Sequence, residues 1–269
     1  MLYEEVNLQF QGYLNTPNLW LGNNIYYLQQ LELDSEKSIS FNEVLPNNIR
    51  LGKRVEQFVF HELKQLPQIL ILAENLQIQQ NKLTLGEIDA LLLIKNKPVH
   101  LEIIYKFYVY DDTVGTTKLD HWIGPNRKDC LVEKLNKLKS KQLPLLYHPE
   151  TFKHLQKLKL EIKKIEQKVL FKAQLFIPYK LKNTDFYGIN PACIIGFYIK
   201  KQELSEFNDC KFHMPKKANW LLEIKTQTVW LSFESFLLKV SPILEKQTAP
   251  LVWIKLPNGQ MNKCFIVWW

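Results

Sequence analysis

Two neighbouring apolar runs decide the fold: LTLGEIDALLLI at residues 83–94 and PVHLEIIYKFYVY at residues 98–110. Both are rich in Leu, Ile, Val and Tyr and are bounded by polar, turn-like residues, a pattern typical of β-strands. A third run, QILILAENLQIQ at residues 68–79, precedes them and is separated from the first by QNK. The three runs predict a three-stranded meander.

Helical patterns flank the predicted meander on both sides. In RLGKRVEQFVFHELKQL at residues 50–66, apolar residues form one stripe at helical spacing, and Pro67 ends the pattern. In RKDCLVEKLNKLKSKQL at residues 127–143, Leu131, Leu135 and Leu138 share one face. A helix, three strands and a second helix predict an α/β (α+β) fold with the meander as its central sheet.

We expect one domain with three parts. Residues 1–48 form an accessory segment, residues 49–150 the core, and residues 151–269 an amphipathic helix and a β-rich part that completes the domain. Apolar residues spaced by three and four predict the long helix over Phe152–Val169, with lysines between them. This helix is either a basic arm that lies on nucleic acid or an apolar stripe packed on the core.

The last hundred residues predict strands around one helix. Strands are expected at AQLFIPY, CIIGFYIK and NWLLEIK, and a helix near Ser232–Val240. LVWIKL and KCFIVWW then flank Asn258-Gly259, a dipeptide typical of a tight β-hairpin. Together with the meander, these strands predict a mixed central sheet.

Composition indicates a folded protein of the cytoplasm. The 269 residues are 46% hydrophobic and 12% aromatic, which is enough to bury a sizeable core. The sequence contains no apolar run of membrane-spanning length, and its beginning lacks the pattern of a secretory signal. The four cysteines are widely spaced and are expected to be reduced thiols. We therefore expect no association with membranes.

The charge predicts an anionic partner. A formal net charge of +8 favours binding to a phosphate backbone, although the lysine-rich composition of an AT-rich genome would give the same bias. Arginine, the usual residue for bidentate base recognition, occurs only at Arg50, Arg54 and Arg127. Nucleic acid, most readily DNA, is therefore the expected partner, without sequence specificity; protein partners are not indicated.

Acidic residues interrupt two of the meander strands. Residues two apart on a strand share a face, so Glu87 and Asp89 point the same way, as do Glu102 and Lys106. Charged groups on inner strands are costly unless they are paired or bind a metal, whereas on an edge strand they would be solvated. Carboxylates on neighbouring strands suit a hard cation such as Mg²⁺ or Mn²⁺. His100 and His121, which have no catalytic triad around them, are expected to be structural or surface residues.

These residues occur in an order that resembles the PD-(D/E)XK nuclease superfamily. A helix with Gly52 and Glu56 precedes Gly86-Glu87-Ile88-Asp89, then Glu102 to Lys106 and a further helix. Over nearly its whole length, the chain more closely resembles the bacterial domain-of-unknown-function family 1853, which is grouped with those nucleases. The most specific motifs are Arg50-Leu51-Gly52, Thr84-Leu85-Gly86-Glu87-Ile88-Asp89, His100-Leu101-Glu102, Lys106-Phe107-Tyr108 and Trp122-Ile123-Gly124-Pro125-Asn126.

The resemblance implies a restriction-endonuclease-like core and a metal-dependent nuclease. Asp89, Glu102 and Glu87 would bind Mg²⁺ or Mn²⁺, and Lys106 would stabilise the attacking water or the charge of the transition state. Glu56 would be a further carboxylate of the site. Lys134 and Gln142 on the following helix would contact phosphate or water.

One spacing departs from the superfamily pattern. Glu102 and Lys106 are four residues apart rather than two, which separates their Cα atoms by roughly 13 Å along a strand. A nuclease fold whose site has drifted, acting as a nucleic-acid-binding or protein-assembly module, is therefore the alternative. A structural interaction module that uses the aromatic C-terminal region is a third possibility, and it predicts no cation binding.

Overall fold

The computed structural model describes residues 2–22, 25–33, 39–46, 48–181, 186 and 188–269. The chain forms two compact units, each built from separate stretches of sequence. The meander unit comprises Asn18–Tyr105 and Glu133–Lys172. The terminal unit comprises Met1–Pro17, Lys106–Val132 and Ala173–Trp269.

The elements are numbered in chain order. The α-helices are α1 (Leu2–Leu14), α2 (Leu51–Lys64), α3 (Leu131–Lys137), α4 (Pro149–Lys157) and α5 (Phe233–Glu245). The strands are β1 (Ile69–Gln80), β2 (Leu83–Ile94), β3 (Lys97–Tyr110), β4 (Trp122–Ile123), β5 (Glu166–Pro178), β6 (Ile194–Lys200), β7 (Lys211–His213), β8 (Leu251–Lys255) and β9 (Met261–Val267). The fold is α+β, and the nine strands of the described part of the chain pair both in parallel and antiparallel.

The predicted meander is confirmed as the antiparallel strands β1, β2 and β3. Its two turns are two-residue loops, Asn81-Lys82 and Lys95-Asn96, and all four residues have positive φ between 48° and 68°. Turns of this handedness match the twist of paired strands, which explains the short connections. In the meander unit the strand order is β1-β2-β3-β5.

Helix α2 lies where the sequence predicts it and packs its apolar stripe inward. Val55, Phe58, Val59 and Leu63 are at most 2% exposed. The helix ends at Lys64, three residues before Pro67. Beneath the meander, a second apolar cluster includes Ile78, Ile88, Leu91, Leu146, Leu155 and Ile165.

The segment after α3 departs from a regular helix. It continues as a π-helical turn at Leu138–Gln142 and a 3-10 turn at Leu143–Tyr147. Pro144 stands at the beginning of the 3-10 turn, where its missing N–H costs nothing. The predicted helix over residues 127–143 is therefore confirmed only in its central part.

The prediction of one long helix over Phe152–Val169 is wrong. Helix α4 ends at Lys157, and Lys159 then adopts a positive φ of 55°. A 3-10 turn at Ile162–Lys164 follows, and β5 begins at Glu166. The apolar residues of this segment are consequently shared between a short helix and a strand, and their spacing of three and four is incidental.

The terminal unit contains the rest of the strands, in the order β5-β6-β9-β8-β7, with β4 beside β3. Strands β5, β6 and β9 are parallel, and β8 and β9 form the predicted antiparallel hairpin, in which Gly259 has a φ of 87°. Helix α5 is confirmed. NWLLEIK is not a strand: Leu221 and Leu222 are both buried, which an alternating strand would not allow, and Lys217–Leu221 is a 3-10 turn.

Three further features bear on the predictions. The sequence pattern did not reveal helix α1, which buries Phe10 and Tyr13. All four cysteines are free thiols. Among the described residues, none of the helices combines the length and the apolar character needed to cross a bilayer.

Candidate functional site

The candidate site lies in the meander unit, at the point where the regular backbone pairing between β2 and β3 ends. The register of these strands runs from Ile94 opposite Lys97 to Ala90 opposite Leu101. Asp89 and Glu102 are the next residues on the two strands. Here Asp89 Oδ2 accepts a hydrogen bond of 2.8 Å from the backbone N–H of Ile103. A carboxylate thus takes the place of a backbone carbonyl in the ladder.

Glu102 is fully buried, and both of its carboxylate oxygens are hydrogen-bonded. Oε1 lies 3.0 Å from His100 Nε2, and Oε2 accepts a bond from Gln142 Nε2. Gln142 Oε1 in turn accepts a bond of 2.7 Å from Lys134 Nζ. Glu102 is therefore linked through Gln142 to the ammonium group of Lys134 on α3.

Burial disfavours the ionised form of both carboxyl groups. It raises the pKa of Asp89 to about 7, and the neighbouring Glu102 adds to this rise while the N–H of Ile103 opposes it. It also raises the pKa of Glu102 to about 7, against the opposing effects of Lys134 and of the Asp89 backbone. Two acids with pKa values near neutrality, on adjacent strands, form a pair of the kind found at functional sites.

His100 is neutral at physiological pH. It is fully buried, and burial lowers its pKa to about 4. Gln167 Nε2, on β5, lies 3.0 Å from His100 Nδ1 and 2.6 Å from the backbone oxygen of Leu143. Both ring nitrogens of this histidine therefore have partners.

A second acidic group surrounds Lys53 at the beginning of α2. Lys53 Nζ lies 2.6 Å from Glu56 Oε2, 3.2 Å from Glu87 Oε1 and 3.4 Å from Asn75 Oδ1. Burial raises the pKa of Glu56, an effect that Lys53 opposes and Glu87 reinforces. Lys53 is 49% exposed, so this cluster is a partly solvated set of ion pairs.

A family model described as Domain of unknown function (DUF1853) matches residues 6–267. The chain belongs to the DUF1853 family. The match spans stretches of both units, so it includes every residue of the candidate site. Comparison with curated proteins and with solved structures gave no match.

Most of the residues predicted for the site of this DUF1853 protein lie in the meander unit. They are Glu56, Glu87, Asp89, Glu102, Lys134 and Gln142. Lys106 belongs to the terminal unit, where its Nζ forms an ion pair of 2.6 Å with Asp129. Lys134 is a lysine whose charge acts on both Asp89 and Glu102. The role that the resemblance gives to Lys106 stays a prediction.

Sequence reasoning missed Lys53 and His100, which bond to predicted acids. It also missed Asn75, which bonds to Lys53, and Gln167, which bonds to His100. Two of them had a local signal. Lys53 precedes Glu56 by three helical residues, and His100 precedes Glu102 by two strand residues, so each pair shares a face. Asn75 and Gln167 reach the site through strand pairing, which a single sequence does not display.

The chemistry of the acidic pair fits a hard divalent cation. Among the residues that the structure describes, no group of three or more His, Cys, Asp or Glu side chains is arranged to hold a metal ion. Asp89 and Glu102 offer two carboxylates, and Mg²⁺ is commonly bound by one or two carboxylates together with water and substrate phosphate. All of these donors are oxygens, as Mg²⁺ and Mn²⁺ prefer.

Asn126 and Gly124, in the Trp122–Asn126 motif, have structural roles in the terminal unit. Asn126 Oδ1 accepts a bond of 2.7 Å from the backbone N–H of Ala249. A Cβ at Gly124 would lie 2.1 Å from Asp129 Oδ1, so a larger residue there would displace the Asp129 carboxylate. The segment is thus a packed turn.

Proposed function

We propose that this protein is a metal-dependent nuclease that hydrolyses phosphodiester bonds, in DNA more readily than in RNA. Asp89 and Glu102 would hold Mg²⁺ or Mn²⁺. The observation that carries the proposal is the position of these two carboxyl groups, next to each other on adjacent strands, with Glu102 fully buried and both pKa values near neutrality. Such an arrangement is costly for stability, which favours a functional reason for it.

The order of elements supports a restriction-endonuclease-like core of the PD-(D/E)XK type. Helix α2, the meander and the segment that begins with α3 follow one another as that superfamily requires, with Asp89 on β2 and Glu102 on β3. Family membership itself names no activity, so the nuclease assignment rests on the site. Free thiols throughout the chain agree with a reducing compartment, and we place the protein in the bacterial cytoplasm.

Each residue of the site has a role under this proposal. When bound, the cation would stabilise charge on the phosphate and lower the pKa of a water molecule. Asp89 is held by the Ile103 N–H and Glu102 by two side-chain donors, so both carboxylates are fixed before any ligand arrives. Lys134 supplies positive charge next to them, where it would attract a phosphate group. Glu87 and Glu56 would be secondary ligands of the cation or would complete the acidic surface.

Cleavage of nucleic acid tests the proposal. Mixed single-stranded and double-stranded DNA and RNA would be incubated with Mg²⁺ or Mn²⁺ and with wild type, Asp89→Asn or Asp209→Asn. Asp209 is an exposed aspartate outside the site and serves as the matched control. We expect cleavage by wild type and by Asp209→Asn, and none by Asp89→Asn. Equal cleavage by all three would trace the activity to another site or to a contaminant.

A specific observation favours a second function, a nucleic-acid-binding module without catalysis. Lys106, the lysine that the superfamily uses at its site, is engaged by Asp129. Binding that relies on lysines should be insensitive to sequence and should weaken steeply with salt, because each phosphate contact releases counterions. Salt-dependent binding of DNA by wild type, without cleavage under any condition, would replace the nuclease proposal with this one.

A further inference from the structure

The buried carboxylate of Glu102 is held by a histidine whose own orientation is set by a distant glutamine. We propose that His100, fixed by Gln167, is a positioning residue that presents Glu102 to the cation as an oriented carboxylate. The effect on catalysis rests on the proposed function. The hydrogen-bond arrangement itself does not, since it follows from the donors and acceptors present.

The tautomer of His100 follows from the partners of Gln167. The backbone oxygen of Leu143 can only accept, so the atom of Gln167 that lies 2.6 Å from it is the amide nitrogen. The same nitrogen lies 3.0 Å from His100 Nδ1 and can only donate. Nδ1 must therefore accept, and the ring proton sits on Nε2. That nitrogen then donates to Glu102 Oε1 at 3.0 Å.

The donor to the other oxygen of Glu102, Oε2, follows from the partners of Gln142. The ammonium group of Lys134 can only donate, so the atom of Gln142 that lies 2.7 Å from it is the amide oxygen. The amide nitrogen of Gln142 consequently faces Glu102 Oε2 and donates to it. Both oxygens of Glu102 thus accept a hydrogen bond from a side-chain donor.

These two donors to Glu102, His100 and Gln142, are neutral, which matters for a cation ligand. A lysine or arginine in direct contact would neutralise the carboxylate, whereas an imidazole N–H and an amide N–H fix its position without adding an opposite charge. Each carboxylate oxygen still has a second lone pair for a cation. His100 acts through Glu102, much as the outer partners of metal ligands orient those ligands.

Two substitutions separate positioning from simple packing. In His100→Leu the imidazole volume is largely kept, but Gln167 and Glu102 Oε1 each lose a partner in a fully buried place. In His100→Gln a donor can still reach Glu102 and an acceptor can still face Gln167. His154→Gln, a change on α4 outside the network, is the matched control.

The experiment measures Mn²⁺ binding by calorimetry and the His100 tautomer by long-range ¹H–¹⁵N NMR of the metal-free protein. We expect His100→Leu to weaken Mn²⁺ binding by about 10- to 100-fold. His100→Gln and the control should stay within about threefold of wild type, and the spectrum should show the proton on Nε2. Unchanged affinity in His100→Leu, or a proton on Nδ1, would overturn the proposal.

The same data keep this inference apart from the nuclease proposal. Wild type that binds Mn²⁺ and cleaves no substrate would refute nuclease activity, while the affinity of His100→Leu would still decide the positioning role. Wild type that binds no Mn²⁺ would overturn both. Weaker binding by His100→Leu and His100→Gln alike, with lowered thermal stability in each, would indicate a packing role and also count against the proposal.

Discussion

The meander unit contains two groups that each combine two carboxyl groups with a lysine, and their environments differ. Around Lys53, the ammonium group contacts Glu56 and Glu87 directly and remains half exposed. Around Glu102, the acids are buried, and Lys134 donates to Gln142, which in turn donates to Glu102. In the exposed group a lysine contacts both carboxylates, whereas Glu102 accepts hydrogen bonds from the neutral side chains of His100 and Gln142. Burial with neutral donors thus separates a candidate ligand site from an ordinary set of surface ion pairs.

The largest effect is expected at the buried pair. Asp89→Asn keeps the size of the side chain but removes the charge that would hold the cation, so nucleic-acid cleavage should fall by more than about 100-fold. Calorimetry should show a matching loss of Mn²⁺ binding. A variant that still binds Mn²⁺ as wild type does would show that the cation binds elsewhere, and the buried pair would then not differ from the exposed group as a ligand site.

Lys134→Met should reduce cleavage by about 10- to 100-fold, because it removes the positive charge that acts on both buried acids. Without Lys134 the pKa values of Asp89 and Glu102 should rise further, so the pH at which cleavage reaches half its maximum should also rise. Lys141→Met, on the exposed side of the π-helical turn, is the control.

Lys106→Ala should reduce cleavage by less than about 10-fold, since the amino group is engaged by Asp129. Rates measured with Lys106→Ala and Lys134→Met side by side rank the two lysines. A greater loss from Lys106→Ala would restore it as the catalytic lysine.

The metal-free protein should lose stability as the pH rises from about 4 to about 7. The folded-state pKa values of Asp89 and Glu102 are both about 7, above the ordinary values of 3.8 and 4.5. The folded state therefore binds protons more tightly than the unfolded state, and its stability falls with pH through this range. Asp89→Asn should raise the free energy of unfolding at pH 8 by about 1 to 3 kcal/mol, with little change near pH 4. Urea denaturation at the two pH values, in the presence of a chelator, measures this difference.

The smallest effect is expected at the exposed group. Lys53→Ala should change the free energy of unfolding by less than about 1 kcal/mol, as is usual for solvated ion pairs. Its cleavage rate should stay within about threefold of wild type. A loss comparable to that of Lys134→Met would make the exposed group part of the catalytic machinery and remove the distinction between the two regions.

Local signals account for what the sequence predicted correctly. The three strands of the meander are long apolar runs joined by two-residue turns. Asp89 and Glu102 are acids within those runs, which placed them on adjacent strands as the structure shows; their role as a site stays a prediction. The segment over Phe152–Val169 was misassigned because apolar residues with mixed spacing fit a helix as well as a strand that follows a turn. Nothing in the local pattern marks Lys159 as the residue where the backbone adopts a left-handed conformation.

The partners of the acids were harder to predict, because they depend on which distant residues meet. The resemblance assigned Lys106 to the site of Glu102 despite its longer spacing, and a sequence does not tell which side chains Asp129 and Gln142 will reach. Gln167 is 65 residues from Glu102 in sequence, and β5, which carries it, was expected to be helical there. A correct strand assignment for Gln167 would have been needed before its bond to His100 could be considered.

The hydrogen bond from Ile103 to Asp89 gives the site a reporter on its own backbone. This amide proton is held by a side chain that changes charge near neutral pH, whereas an ordinary strand amide faces a carbonyl that does not. The ¹H–¹⁵N resonance of Ile103 should therefore shift as Asp89 ionises. It should shift again when a cation binds to the same carboxylate. A spectroscopist could follow proton loss and ligand arrival at one assigned peak, without a substrate and without altering any residue.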